Sequence, residues 1–528
     1  METENLNIYL LFTMLILSSF VAIVTKWIKL PYSIALVIVG LIIGIFHCLP
    51  VVIMTPELIL LVFLPALLFE ASWNLQLEWL KTSLKPVALL ATLGVLVSTA
   101  IVGMVLHALT GIDLKVGLLF GAMISATDPI SVLSLFKRLN VNRRLHTILE
   151  GESLLNDGTA VALFRVLLAS ILIGGNLSWD KIAVDFIFIT FGGMVLGAAV
   201  GFIASKLTEY FDDHLLETTL TVLVAYGSYI VAEQLKVSSV ISVLVAGFIM
   251  GNFGSRTSMS ATTRLAVDAF WEYAAFIAES LVFLLIGMQI KFSLLVKYSP
   301  YILAGIVAIL IARAVVVYTL SALSQTKQHP IPTKWQNLLF WGGLRGSLCM
   351  AMALSLPANF PQRELLVVTT FGVALFTLLV PGLTMEPLIR FMRVSGERIP
   401  KSIQLQKEIE QLENQKKKLQ QSFKTGQLTR KESKEKIAII DLKKQEKEEM
   451  LSILEQSNGN EDHIENLEIE LALVKAQKEC LNQLKKKDSS KPEILEQKRQ
   501  RIDDYYIQIK AEHQAREREI ENDEQQNK

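Results

Sequence analysis

Cysteine is scarce in this sequence, with three in 528 residues. Cys48, Cys349 and Cys480 stand far apart, with no CxxC pair and no histidine at metal-ligand spacing. Neither a disulfide framework nor a zinc site is expected, and Cys349 reads as packing. Net charge is missing too: 51 Lys and Arg against 50 Asp and Glu leave +1, which offers nucleic acid no electrostatic footprint. The opening stretch METENLN has Glu2 and Glu4 but no positive n-region, so the apolar run behind it reads as an uncleaved span rather than a removable signal peptide. Near-neutrality hides a larger absence. About half of all charged residues lie beyond residue 400, in roughly a quarter of the length, and the front of the chain is almost bare of them.

Apolar runs fill that front. Each is about 17 to 25 residues long, enough for a helix to cross a hydrocarbon core of roughly 30 Å. About thirteen are expected: 7–25, 31–47, 57–73, 86–108, 115–136, 152–174, 182–206, 215–235, 238–252, 266–289, 300–322, 336–356 and 364–389. Lys and Arg gather on alternate connections, roughly sixteen on one side against about six on the other, which puts the N-terminus outside and the C-terminus in the cytoplasm. The expected fold is an all-α polytopic membrane protein, with residues 1–395 as the transmembrane domain and 396–528 as a charged cytoplasmic tail.

A charge near the bilayer midplane costs at least ~2.5 kcal/mol, so each ionisable residue within a span requires a reason. The candidates are Glu70, Asp128, Glu152, Asp157, Arg165, Asp185, Glu233, Glu279, Arg313 and Arg345. Asp185, Glu233 and Arg165 lie near span ends and read as snorkelling or structural pairs; His107 reads as interfacial.

Two clusters stand out. In GAMISATDPIS, Pro129 lacks an amide hydrogen and disfavours helix at Asp128, so the span is interrupted and Ser125 loses its usual partner. Carbonyls freed in a protein-lined cavity are cation ligands. In EGESLLNDG, Ser153 and Asp157 are four apart, which stacks hydroxyl and carboxylate on one helix face. Glu152 is rotated from Asp157 by about 140° and needs its own partner, for which Arg313 is the first choice. The break alone could be a kink with Asp128 capping its second half, and Asn156 alone could be an interhelical hydrogen bond. With a third carboxylate, Glu70 after Pro65, the set points to a cation site.

The motifs FLPALLFEA, SATDPI, LEGESLLNDGTA, LIAR and GGLRGSL, in this order along the chain, resemble those of the sodium/proton antiporters that include bacterial NhaP-type transporters and animal sodium/hydrogen exchangers. The resemblance covers about residues 1 to 395 and says nothing of the tail. It implies that Asp157 binds sodium or a proton, with Asn156 beside it. It further implies a backbone carbonyl ligand at Thr127, a structural or water-mediated carboxylate at Asp128, and a direct ligand at Ser153. Glu70 would be a ligand or near-ligand, so Na+ would sit among Asp157, Ser153, Thr127 and Glu70. Glu152 with Arg313 would be the stabilising ion pair, and Arg345 a structural or pH-responsive residue. The resemblance also implies a core domain moving against a dimerising domain, a homodimer, no catalytic residue and no cofactor beyond the transported ions.

Interrupted spans in corresponding places mark an inverted repeat. Here they are Pro129 in the fifth span and Gly342, Gly343 and Gly346 in the twelfth, so spans one to six and eight to thirteen would be two six-helix repeats with crossing broken helices. The expected function is exchange of Na+ (or Li+) for H+ by alternating access, proton and cation competing for Asp157. One titrating carboxylate beside a neutral Asn156 implies one-for-one, electroneutral exchange. The oxygen donors do not choose the cation, so potassium/proton exchange stays open. Paired intramembrane aspartates also suggest an aspartyl intramembrane protease, but no Gly-x-Gly-Asp signature occurs.

In the tail, Leu405, Ile409, Leu412, Lys416, Leu419 and Phe423 alternate by four and three, a coiled-coil seam with one polar position. Leu467, Leu471 and Val474 repeat the habit. A solvated helical tail and a dimeric regulatory domain are both compatible with this pattern.

Overall fold

A computed structural model describes residues 2–28, 31–46, 58–173, 179–210, 213–255, 259–289, 291–324 and 330–394, with a few positions between 409 and 448. The chain divides into two compact units, residues 1–395 and 396–528.

The first unit is helical. In chain order it contains α1 (Glu2–Ile28), α2 (Tyr32–Phe46), α3 (Leu64–Asn74), α4 (Leu77–Ala91), α5 (Leu93–Thr110) and α6 (Leu114–Ser125). There follow α7 (Ile130–Arg138), α8 (Arg143–Leu172), α9 (Trp179–Leu207), α10 (His214–Gln234), α11 (Ser239–Ile249) and α12 (Ala261–Gln289). The series ends with α13 (Phe292–Lys297), α14 (Ser299–Ser324), α15 (Thr333–Trp341), α16 (Ser347–Leu354) and α17 (Arg363–Met392). Among the described residues, 8 helical stretches are long and apolar enough to cross a membrane, and shorter apolar helices lie at Phe12–Thr25, Tyr32–Phe46, Ile59–Asn74 and Ser239–Gly254. The expected twelfth span is neither; its halves α15 and α16 are 9 and 8 residues long.

Two expected starts are corrected. The fourth span begins at Leu77 and the sixth at Arg143, well before the expected 86 and 152. Hydropathy marks where charge ends, whereas a helix begins where its first amides find an acceptor. Asn142 supplies one, its side-chain oxygen accepting from the Arg144 N–H at 2.9 Å. Lys81 and Lys85, which lie before the expected start of the fourth span, therefore sit on the exposed face of α4.

Small residues set the closest approaches. On α9, Gly193, Gly197 and Gly201 face Ser238, Ser242 and Ala246, where an added Cβ would crowd the backbone of the α11 segment. The end-of-span charges have structural partners: Arg165 binds Glu233, whose carboxylate also accepts from Ser239 Oγ at 2.7 Å, and Asp185 is exposed on α9. His107 Nδ1 lies 2.6 Å from the Ile112 carbonyl, closing the turn after α5.

In the second unit, Lys444 Nζ lies 2.6 Å from Glu413 Oε1, and Lys416 binds Asp441. Three residues forward on one segment correspond to three back on the other, so the two run antiparallel within one chain. Lys416, the polar seam position, is thus engaged in an intrachain ion pair. Leu405, Leu419, Phe423, Leu467, Leu471 and Val474, like Cys48 and Cys480, lie outside the described residues.

Candidate functional site

Two interrupted helices build the site. The first stops at Ser125, runs extended through Ala126 (φ −59°, ψ 134°) and resumes at Ile130, as a proline at 129 requires. The second stops at Trp341 and resumes at Ser347 after GGLRG. The breaks meet, the Asp128 N–H donating to the Leu344 carbonyl at 2.9 Å. Gly346 admits this approach, since a Cβ there would overlap the Asp128 carboxylate. Asp128 Oδ1 also accepts from the Ile130 N–H at 3.1 Å, at the start of α7.

Arg345, buried in the second break, donates from Nη1 to the Ser125 and Ala126 carbonyls at 3.2 and 3.0 Å. This corrects the expectation that the interruption frees the Ser125 carbonyl for a cation. A carbonyl at a buried helix C-terminus is a partial negative charge in a poor dielectric, and a guanidinium from the crossing break satisfies it outright.

α8 supplies the next layer. Ser153 Oγ lies 2.8 Å from Thr127 Oγ1, and Asn156 grips Thr127 from both sides. Asn156 Nδ2 donates to Thr127 Oγ1 at 2.6 Å, while its Oδ1 accepts the Thr127 N–H at 3.3 Å. Asn156 is not among the residues lining the cavity described below, and both atoms of its carboxamide are engaged by Thr127. Adjacent residues on a helix point about 100° apart, which lets Asn156 hold Thr127 while Asp157 faces the opening. Asp157 Oδ1 is buried and has no hydrogen-bond partner among the described residues.

A cavity of about 420 Å³ gathers Glu70, Thr127, Asp128, Ser153 and Asp157 along its wall. Glu70 enters from α3, its Oε1 accepting from Asn74 Nδ2 at 2.8 Å. Glu152 points away, as its rotation requires. Its carboxylate takes both terminal nitrogens of Arg313, Nη2 at 3.0 Å, and Nη2 also donates to the Leu339 carbonyl at 2.8 Å. Sequence reasoning gave no role to Glu279 and passed over Glu272, Glu150, Lys137 and His146, all of which line the cavity. A signal existed for two of them: Glu272 and Glu279 are seven apart, hence on one face of α12.

A polytopic helical membrane protein with crossing helix breaks over a carboxylate-lined cavity is built like a secondary transporter, and the sequence carries the class. Residues 14–391 match the sodium/hydrogen exchanger transmembrane family, and the chain belongs to it. Among relatives, the Na(+)/H(+) antiporter ApNhaP of Aphanothece halophytica is 45% identical over 372 residues, 70% of this chain and 71% of that one. The Na(+)/H(+) antiporter NhaP of Pseudomonas aeruginosa is 37% identical over 357 residues, 66% of this chain and 83% of that one. In fold the chain resembles the sodium proton antiporter MjNhaP1 of Methanocaldococcus jannaschii, with a TM-score of 0.64 at 22% identity over 75% of this chain and 100% of that one.

Proposed function

We propose that the protein exchanges Na+ (or Li+) for H+ across a membrane by alternating access, the two competing for Asp157. The observation that carries this is Asp157, which lines the cavity and whose Oδ1 is buried with no hydrogen-bond partner among the described residues. A buried polar atom left unpaired costs about 1 to 3 kcal/mol, which a proton or a cation relieves, one at a time. Ser153 and Thr127 place hard oxygens beside it, and Glu70 offers a carboxylate from the facing helix. The relatives named as Na(+)/H(+) antiporters favour sodium within the alkali series.

The remaining assignments complete this reading. Asn156 positions Thr127, Asp128 braces the crossing, Arg345 neutralises the end of α6, and Glu152 with Arg313 locks α8 to α14. Thirteen crossings in two inverted repeats would place the N-terminus outside and the tail in the cytoplasm of a plasma-membrane homodimer, with the tail in a regulatory role.

The test is cation-driven proton movement in inverted vesicles. Sodium or lithium is expected to dissipate a preformed pH gradient in parent vesicles, and Asp157→Asn to lower the rate at least about a hundredfold, because its amide cannot cycle a proton. An Asn variant as fast as its parent rejects the competition at Asp157, and potassium outperforming sodium would reassign the cation.

A further inference from the structure

Glu279 is a carboxylate at membrane depth for which the antiport cycle above has no use. It lines the cavity with Asp157, Thr127 and Ser153, but from another part of the fold. Its helix α12 packs on α3, which bears Glu70, and is pressed against α2: a Cβ on Gly40 would lie 3.0 Å from the Gly287 Cα. Such backbone contact fixes where Glu279 sits. Asp128 and Glu70, both acidic, share the cavity wall with it, and the neighbouring Ser33 hydroxyl contacts Ser131 of α7. The buried arginines are committed elsewhere, Arg313 to Glu152 and Arg345 to the α6 carbonyls. Lys137 and His146 line the same cavity, but among the described residues no ion pair reaches Glu279, and a carboxylate at that depth without a basic partner needs a proton or a metal cation to remain there. Two turns away on the same helix, roughly 10 Å, Glu272 is exposed on the wall of the same cavity.

We propose that Glu279 is a further cation-contacting carboxylate of the transport path, beyond Asp157 and Glu70, which receives the partly dehydrated sodium ion from Glu272 and presents it to Asp157. The inference rests on the antiport reading. An ion that exchanges water for carboxylate oxygens in two stages avoids a single large desolvation step, and a lining in which carboxylates outnumber basic groups raises the local cation concentration.

Sodium-dependent proton flux in vesicles tests it. Glu279→Gln is expected to raise the half-saturating sodium concentration about tenfold, with the maximal rate within about twofold, the pattern of lost ground-state binding. Glu279→Asp, which keeps the charge, should stay within about threefold of the parent. Glu272→Gln, on an exposed position that folding does not depend on, should raise half-saturation at low ionic strength and match the parent in high salt. The proposal is overturned by a folded Glu279→Gln with the parent's half-saturation, by an Asp variant as impaired as Gln, or by a Glu272→Gln indifferent to salt. Parent vesicles that move no protons in response to sodium would instead sink the antiport reading.

Discussion

The Glu152 and Arg313 side chains are 1% and 8% exposed, and each is the other's answer to burial. Taking either charge out of water costs several kcal/mol, which only a close, doubly bonded partner offsets. Removing one partner leaves the other stranded, so Arg313→Ala is expected to cost about 3 to 5 kcal/mol, read as a fall in the thermal midpoint of the detergent-solubilised protein. Pairing it with Glu152→Gln should recover part of that loss, since no bare charge then remains. If the single and double variants melt alike, the two residues are not coupled. The residue scale is also where the sequence spoke most directly. A five-residue offset turns Glu152 from Asp157 whatever the rest of the fold does, and a four-residue offset aligns Ser153 with Asp157. What spacing could not supply was the far partner across the crossing. Nothing local to Arg345 says that its guanidinium takes the Ser125 and Ala126 carbonyls, or that Gly346 is bare because Asp128 presses on it.

Elements begin and end by rules that hydropathy does not see. α10 starts at Asp213, whose carboxylate accepts from the Leu215 and Leu216 N–H groups at 2.8 and 3.1 Å. The Leu216 amide first, then that of Leu215, holds the Asp213 carboxyl below the usual carboxylate range. A depressed folded-state pKa gives a contribution that is complete above the unfolded value, about 3.9, and is lost as pH falls through the folded one. Protection of the Leu215 and Leu216 amides from hydrogen exchange, corrected for intrinsic rates, should therefore drop below about pH 4. In Asp213→Asn, which keeps an acceptor without a titrating group, the drop should vanish. An identical pH profile in both proteins would mean that the cap does not hold this end. The same logic explains why α8 reaches back to Arg143: the Asn142 carboxamide that caps it lies outside the apolar run that defined the span. The break at Pro129 was legible because proline acts on its own backbone. The glycine-rich break before Ser347 showed as a pattern, while its crossing with the first depends on packing between distant segments.

At the scale of the whole molecule, the count of carboxylates matters less than which of them change charge between half-cycles. Asp157 with sodium and Asp157 with a proton carry the same net charge, and Asn156 beside it titrates not at all. Asp128 is engaged by the Ile130 amide and packed against Gly346, contacts that involve no cargo. Glu70 and Glu279 project from α3 and α12, helices that pack on each other, and both line the cavity through which the cargo would pass. A charge that stays in place adds equally to both directions and cancels from the cycle. One sodium ion should therefore move against one proton, with no net charge crossing the membrane. Vesicles under matched sodium and proton gradients should exchange at a rate that is unchanged, within about twofold, when the membrane potential is clamped from zero to 100 mV, because a single uncompensated charge would feel about 2.3 kcal/mol across that field. Steady currents that reverse with potential at fixed gradients would show that a second carboxylate, with Glu279 the first to examine, releases its proton each time sodium binds.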